Sequence, residues 1–140
     1  MEKRLFKAVQ ALALILVITL ACLAFMPWKI SDVIEPLGES NRCMILRYDQ
    51  SYSTAYPVDE ELEQLVATLA GSTGTFDRAR DQLSYYGEEP LYRIYLWTPE
   101  GRISDIWMCG PAFFYDGAQY MLNDDDAAAL GAVLASCFGG

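Results

Sequence analysis

Histidine is absent from all 140 residues, which excludes Ser-His-Asp and Cys-His catalysis, His-containing zinc sites and imidazole pH switching together. Lys29 is the single lysine beyond the N-terminal apolar run, so Schiff-base chemistry has nothing to work with. What remains for an enzyme is carboxylates, tyrosines, a cysteine or a bound metal. Cys43, Cys109 and Cys137 follow the run and Cys22 lies within it; their spacing fits no metal motif. Cys43 and Cys109 both fall in expected strands, so they are read either as a disulfide across the sheet or as buried free thiols. Among the acids, Glu88 or Glu89 with Asp105 is the pairing a glycoside hydrolase would use, provided the two carboxyls face each other ~5–9.5 Å apart. Arg78 and Arg80 can hold an anion or pair with Asp77 and Asp81. Asp124, Asp125 and Asp126 suit a helix N-terminus, not a calcium loop, because alternating oxygen ligands and a central Gly are missing. No metal or cofactor is implied.

Aromatic side chains form the other chemical resource. Tyr48, Tyr52 and Tyr56 recur every four residues and read as a ligand-contacting rim or as rings folded over the core. Tyr95, Trp97 and Trp107 sit on alternating positions of expected strands. They are the candidate binding surface if one sheet face stays open.

The elements that must position these groups follow from periodicity. Cys43–Asp49 reads as a strand, 50–57 as a loop, and Asp59–Ala70 as a helix capped by Asp59 and stopped by Gly71, with Leu62, Leu65, Val66 and Leu69 on one face. Thr73–Arg80 is a weaker strand and 84–90 a polar loop. Leu91–Trp97 and Arg102–Cys109 alternate around the turn Thr98-Pro99-Glu100-Gly101, and Ala112–Tyr115 and Ala118–Leu122 around Asp116-Gly117, the favoured two-residue hairpin turn. A helix over Asn123–Phe138 closes the chain, capped by Asn123 or Asp124, with Leu130, Val133, Leu134 and Cys137 inward.

Ahead of all this, Ala8 to Trp28 is apolar except for Gln10 and Thr19. About 20 residues of helix at ~1.5 Å per residue reach ~30 Å, one hydrocarbon core. Lys3, Arg4 and Lys7 precede it, which places the N-terminus in the cytoplasm and the rest of the chain outside. Three fates fit: an uncleaved signal anchor, a signal peptide cut after Cys22-Leu23-Ala24, or a lipoprotein signal with Cys22 as the lipidated residue. With the three cations and one acid of the first 28 residues set aside, 18 Asp and Glu face 7 Lys and Arg. An excess of acid on that scale excludes nucleic acid as a partner and suits an exported domain that must stay soluble.

The unit Tyr92-Arg-Ile-Tyr-Leu-Trp97, Pro99-Glu-Gly101, Ile103 to Trp107, then Tyr115-Asp-Gly117 and Tyr120, resembles small external modules of Gram-positive anaerobic bacteria. Those modules occur as lipoproteins or membrane-anchored proteins. The resemblance covers about 35 residues, implies an extracytoplasmic setting, and carries over no catalytic residue.

The expected fold is α+β: an N-terminal transmembrane or signal helix (1–28), a juxtamembrane linker (29–42), and an extracytoplasmic domain (43–140) in which an antiparallel β-meander of about five strands packs with two amphipathic helices. The expected function is a non-enzymatic binding or protein-interaction module tethered at the cell membrane, with a protein or peptide partner outside the cytoplasm. The alternative is a carboxylate-dependent hydrolase of envelope polysaccharide.

Overall fold

A computed structural model describes residues 2–49, 51–79 and 90–139. The apolar run forms α1 (Glu2–Phe25), and every described side chain along it is exposed. Its Glu2–Leu23 stretch is long and apolar enough to cross a membrane or to act as a signal sequence. The hydroxyl of Thr19 donates to the Ile15 carbonyl at 2.8 Å, which satisfies one of the two polar side chains of the run inside the helix itself.

Eight strands follow in one antiparallel sheet: β1 (Pro27–Lys29), β2 (Arg42–Tyr48), β3 (Tyr52–Ala55), β4 (Thr73–Ala79), β5 (Leu91–Trp97), β6 (Ile103–Cys109), β7 (Ala112–Tyr115) and β8 (Ala118–Leu122), in the order β1-β4-β8-β7-β6-β5-β2-β3. The α+β class is as expected, but the sheet has eight strands where about five were anticipated. β1 is three residues long and is hidden in the tail of the apolar run. β3, with the sequence Tyr-Ser-Thr-Ala, is an edge strand with no hydrophobic alternation, and reads as loop for that reason. β5 to β8 are the anticipated meander. At Asp116-Gly117 both residues take positive φ, 48° and 78°, the combination that lets a two-residue turn follow the strand twist. β4 and β5 run in the same direction with β8, β7 and β6 between them. The connecting 80–89, including Arg80, Glu88 and Glu89, lies outside the described residues.

Helices α2 (Ile30–Val33), α3 (Glu60–Gly71) and α4 (Asp124–Ser136) all pack on one face of the sheet. Leu62, Leu65 and Leu69 of α3 and Leu130 and Leu134 of α4 meet Ile45, Ile94, Ile106, Met108 and Phe113 in a single buried core. The α4 N-terminus is capped as anticipated: Asn123 Oδ1 accepts from the Asp126 N–H at 2.8 Å. Asp126 has a second role, because its carboxylate accepts from the Thr73 N–H at 2.9 Å and so pins the start of β4 to α4. Asp59 does not cap α3 with its side chain. It takes a positive φ of 53°, and its backbone carbonyl accepts from the Glu63 N–H.

The stretch 29–42, anticipated as a linker, is part of the domain. Lys29 pairs with Thr73 in the sheet, and Ile30, Ile34 and Leu37 are at most 1% exposed within the core. Only Met26 separates α1 from β1. Ile30, Val33, Ile34 and Leu37 do keep the spacing of a helix face, but Pro36, Gly38 and Asn41 cut it off after little more than one turn, so the stretch reads as a connector. Replacing Ile30 with Ala should therefore cost about 2–4 kcal/mol, the usual range for a truncated core aliphatic. Urea unfolding of the purified chain measures it, and an unchanged midpoint would return 29–42 to the status of a connector.

Candidate functional site

Among the described residues the helices cover one face, so the alternation of each strand leaves the other set of side chains on a helix-free face. On β5 the inward set is Tyr92, Ile94 and Leu96 and the outward set Leu91, Arg93, Tyr95 and Trp97; on β6 the inward set is Ser104, Ile106 and Met108. The β5–β6 register sets Tyr95 opposite Asp105 and Arg93 opposite Trp107. Tyr95, Trp97 and Trp107, singled out from sequence, thus share one face, and all three are partly exposed.

Their arrangement is a continuous row. Tyr95 and Trp97 stack with ring centroids 5.9 Å apart and planes inclined by 27°. Arg93 lies over Tyr95 at 4.8 Å and over Trp107 at 4.4 Å, bridging the two rings by cation–π contact. Asp105 holds the guanidinium in place by accepting from Nε at 3.1 Å and from Nη2 at 2.8 Å, the two-point geometry that arginine makes with a carboxylate. At the far end Arg42 lies 5.2 Å over the Trp97 ring. Arg93 went unremarked as a site residue at the sequence level, and Asp105 was singled out only as a hydrolase acid. The hairpin register would have found them: a loop closed by the Thr98 N–H to Arg102 carbonyl bond fixes which β6 residue faces each β5 residue.

A recess flanks each end of the row. One, of about 340 Å³, lies beside Trp97 and is lined by Arg42, Met44, Tyr56 and Val58 among others. The second, of about 320 Å³, lies beside Trp107 with Ile103, Asp105 and Phe114 in its walls. Further along the same face the surface closes: Cys109 and Ala112 are at most 2% exposed in a small cluster with Leu91, Trp107, Phe114 and Met121. Tyr48 and Tyr52 face each other at 5.4 Å across β2 and β3. With Tyr56 they stand 36–67% exposed, so this trio is a rim and does not fold over the core.

The Arg93 guanidinium is pushed further into its charged form by its hydrogen bonds to Asp105. The Tyr95 phenol is raised above its ordinary value by burial and then by the Asp105 charge, with Arg93 opposing; it stays protonated at neutral pH and can donate. Both Asp105 oxygens are engaged by Arg93, and the acids that would face it in a hydrolase, Glu88 and Glu89, lie outside the described residues. Among the described residues no three His, Cys, Asp or Glu side chains group to hold a metal ion. No family model, curated protein or solved structure matches the chain.

The thiols divide by face. Cys43 is on the helix side of β2 and Cys109 on the helix-free side of β6, and the register places Cys43 opposite Leu96 but Cys109 opposite Leu91, five residues apart along β5. The anticipated Cys43–Cys109 bridge therefore does not form; two strands with the right alternation can still present opposite parities. Cys22 is exposed on α1. Cys43 is pushed from 9.0 up to about 12, first by burial and then by the Cys137 thiol nearby.

That shift carries a sign for stability. The folded thiol keeps its proton where the unfolded one releases it, so the contribution is complete below about pH 9 and disappears as pH rises toward about 12. Tyr92 and Tyr120, raised mainly by burial, act in the same direction above their ordinary range. Unfolding free energy should fall with pH above 9, with Cys43 supplying a slope approaching about 1.4 kcal/mol per unit. Cys43→Ala should flatten that slope whatever it does to stability at pH 7. Parallel slopes for the two proteins would contradict the assignment.

Proposed function

We propose that the chain is a non-enzymatic binding module tethered at the outer face of the cell membrane, and that its helix-free sheet face docks a protein or peptide partner. The observation that carries this reading is the row Arg42, Trp97, Tyr95, Arg93 and Trp107, half-exposed and already ordered by stacking and by the Arg93–Asp105 pair. Trp, Tyr and Arg are the residue types that dominate interface energetics. Rings fixed before binding lose little conformational freedom when a partner arrives. The recesses at either end offer sockets for side chains.

The tether supports the same reading. A helix long enough to span the membrane, followed after one residue by a sheet strand, would hold the domain at the surface with little slack. The basic N-terminal flank supports an outside location for the domain, as does the likeness to small external modules. A signal cut after Ala24, or lipid on Cys22, would leave β1 intact in either case. The hydrolase alternative draws no support from Asp105, whose oxygens are both occupied.

A photo-crosslinking amino acid placed at Tyr95, compared in intact cells with one at Glu63 on the solvent side of α3, tests the proposal. A discrete adduct is expected from position 95 and not from 63. Trp107→Ala should weaken the same complex by roughly 30-fold, the ~2 kcal/mol typical of a hot-spot ring. Equal labelling from both positions, or none from 95, would overturn the docking face.

A further inference from the structure

A second concave site lies on the opposite, helix-bearing face, close to where α1 enters the domain. Trp28, three residues past the end of α1, pairs with Gly74 in the β1–β4 ladder. With Tyr120 of β8 and Tyr115 of β7 it lines a recess of about 200 Å³, to which α2 adds Asp32 and Val33 and the β7–β8 turn adds Asp116. Three aromatic rings therefore line a space whose polar groups include two carboxylates. Tyr120 is braced edge-on by Phe76 at 5.9 Å. Its phenol is raised by burial and then by the charge of Asp116.

Among the described residues neither Asp32 nor Asp116 has an ion-pair or hydrogen-bonding partner. Lys29, adjacent in sequence, falls on the other side of β1 by strand alternation. Aromatic faces attract cations through the ring quadrupole, and a cage of them with nearby acids is the arrangement that recognises alkylammonium groups. The volume suits one such head group and little more.

We propose that this recess binds an alkylammonium cation, with Trp28, Tyr115 and Tyr120 as the cage and Asp32 and Asp116 as the counter-charge. The cation can come from a lipid head group, which depends on α1 being retained in the membrane, or from a free amine. The site lies across the sheet from the aromatic row, although Tyr115 and Asp116 also line the recess beside Trp107.

Calorimetric titration of the full chain in a non-ionic detergent with choline chloride and with ethylamine hydrochloride, each against sodium chloride at equal ionic strength, tests it. At least one amine should give a saturable isotherm. Asp116→Asn removes one charge while keeping a residue that tolerates the positive φ of 48° found there; it should weaken binding by at least about fivefold, and Trp28→Ala by about five- to thirtyfold, as removal of a cage ring at ~1–2 kcal/mol implies. Trp97→Ala should leave the isotherm unchanged, which separates this site from the docking face. In phosphatidylcholine nanodiscs, free choline should compete poorly if the head group fills the cage, and as well as in phosphatidylglycerol nanodiscs if the natural ligand is a free amine. No saturable isotherm with either amine, or one that both variants leave unaltered, would overturn the proposal.

Discussion

Arg93 cannot leave its place between Tyr95 and Trp107 without breaking two hydrogen bonds to Asp105 and two cation–π contacts, and the surface of the helix-free face depends on that restraint. An isolated surface ion pair is worth little, at most about 1 kcal/mol. Here the pair works chiefly as a positioning device. It fills the gap between rings on neighbouring strands with a planar cation and keeps the rings from closing over one another. The outcome is a flat, half-wet surface made of stiff side chains, built on a sheet whose other face is clamped by three helices.

The one-sided helix layer follows from the connections. After β1 the chain turns into α2, after β3 into α3 and after β8 into α4, and each helix brings its apolar side chains to the same inward sets of β2, β5, β6 and β7. Burial on that side is complete at Ile45, Ile94, Ile106 and Phe113. The opposite side keeps a small sealed patch at Cys109 and Ala112 and stays partly open around Tyr95, Trp97 and Trp107.

Much of this was legible in the sequence wherever a period ran long enough. The alternation of 91–97 and 103–109 separated the two faces of the meander, and the Leu spacing of 62, 65 and 69 separated the buried side of α3 from its acids. What escaped notice needed information between elements. β1 and β3 are too short or too polar to show a pattern and exist because a neighbour pairs with them. The burial of Ile30, Ile34 and Leu37 is a tertiary result. The parity of Cys43 against Cys109 depends on which residue of β2 faces which of β5. The cage at Trp28 joins residues nearly 90 positions apart, from β1 to Tyr115 and Tyr120, and no local spacing points to it.

The most direct test of a docking role for the helix-free face is hydroxyl-radical footprinting read by mass spectrometry, on the chain in native membranes and after extraction and purification. In the purified protein Tyr95, Trp97 and Trp107 should be oxidised well above the fully buried Phe113. In native membranes the same three rings should be protected, while Tyr52, exposed at the far edge strand, is modified equally in both. Identical modification of the three rings in membranes and in the purified chain would contradict the account.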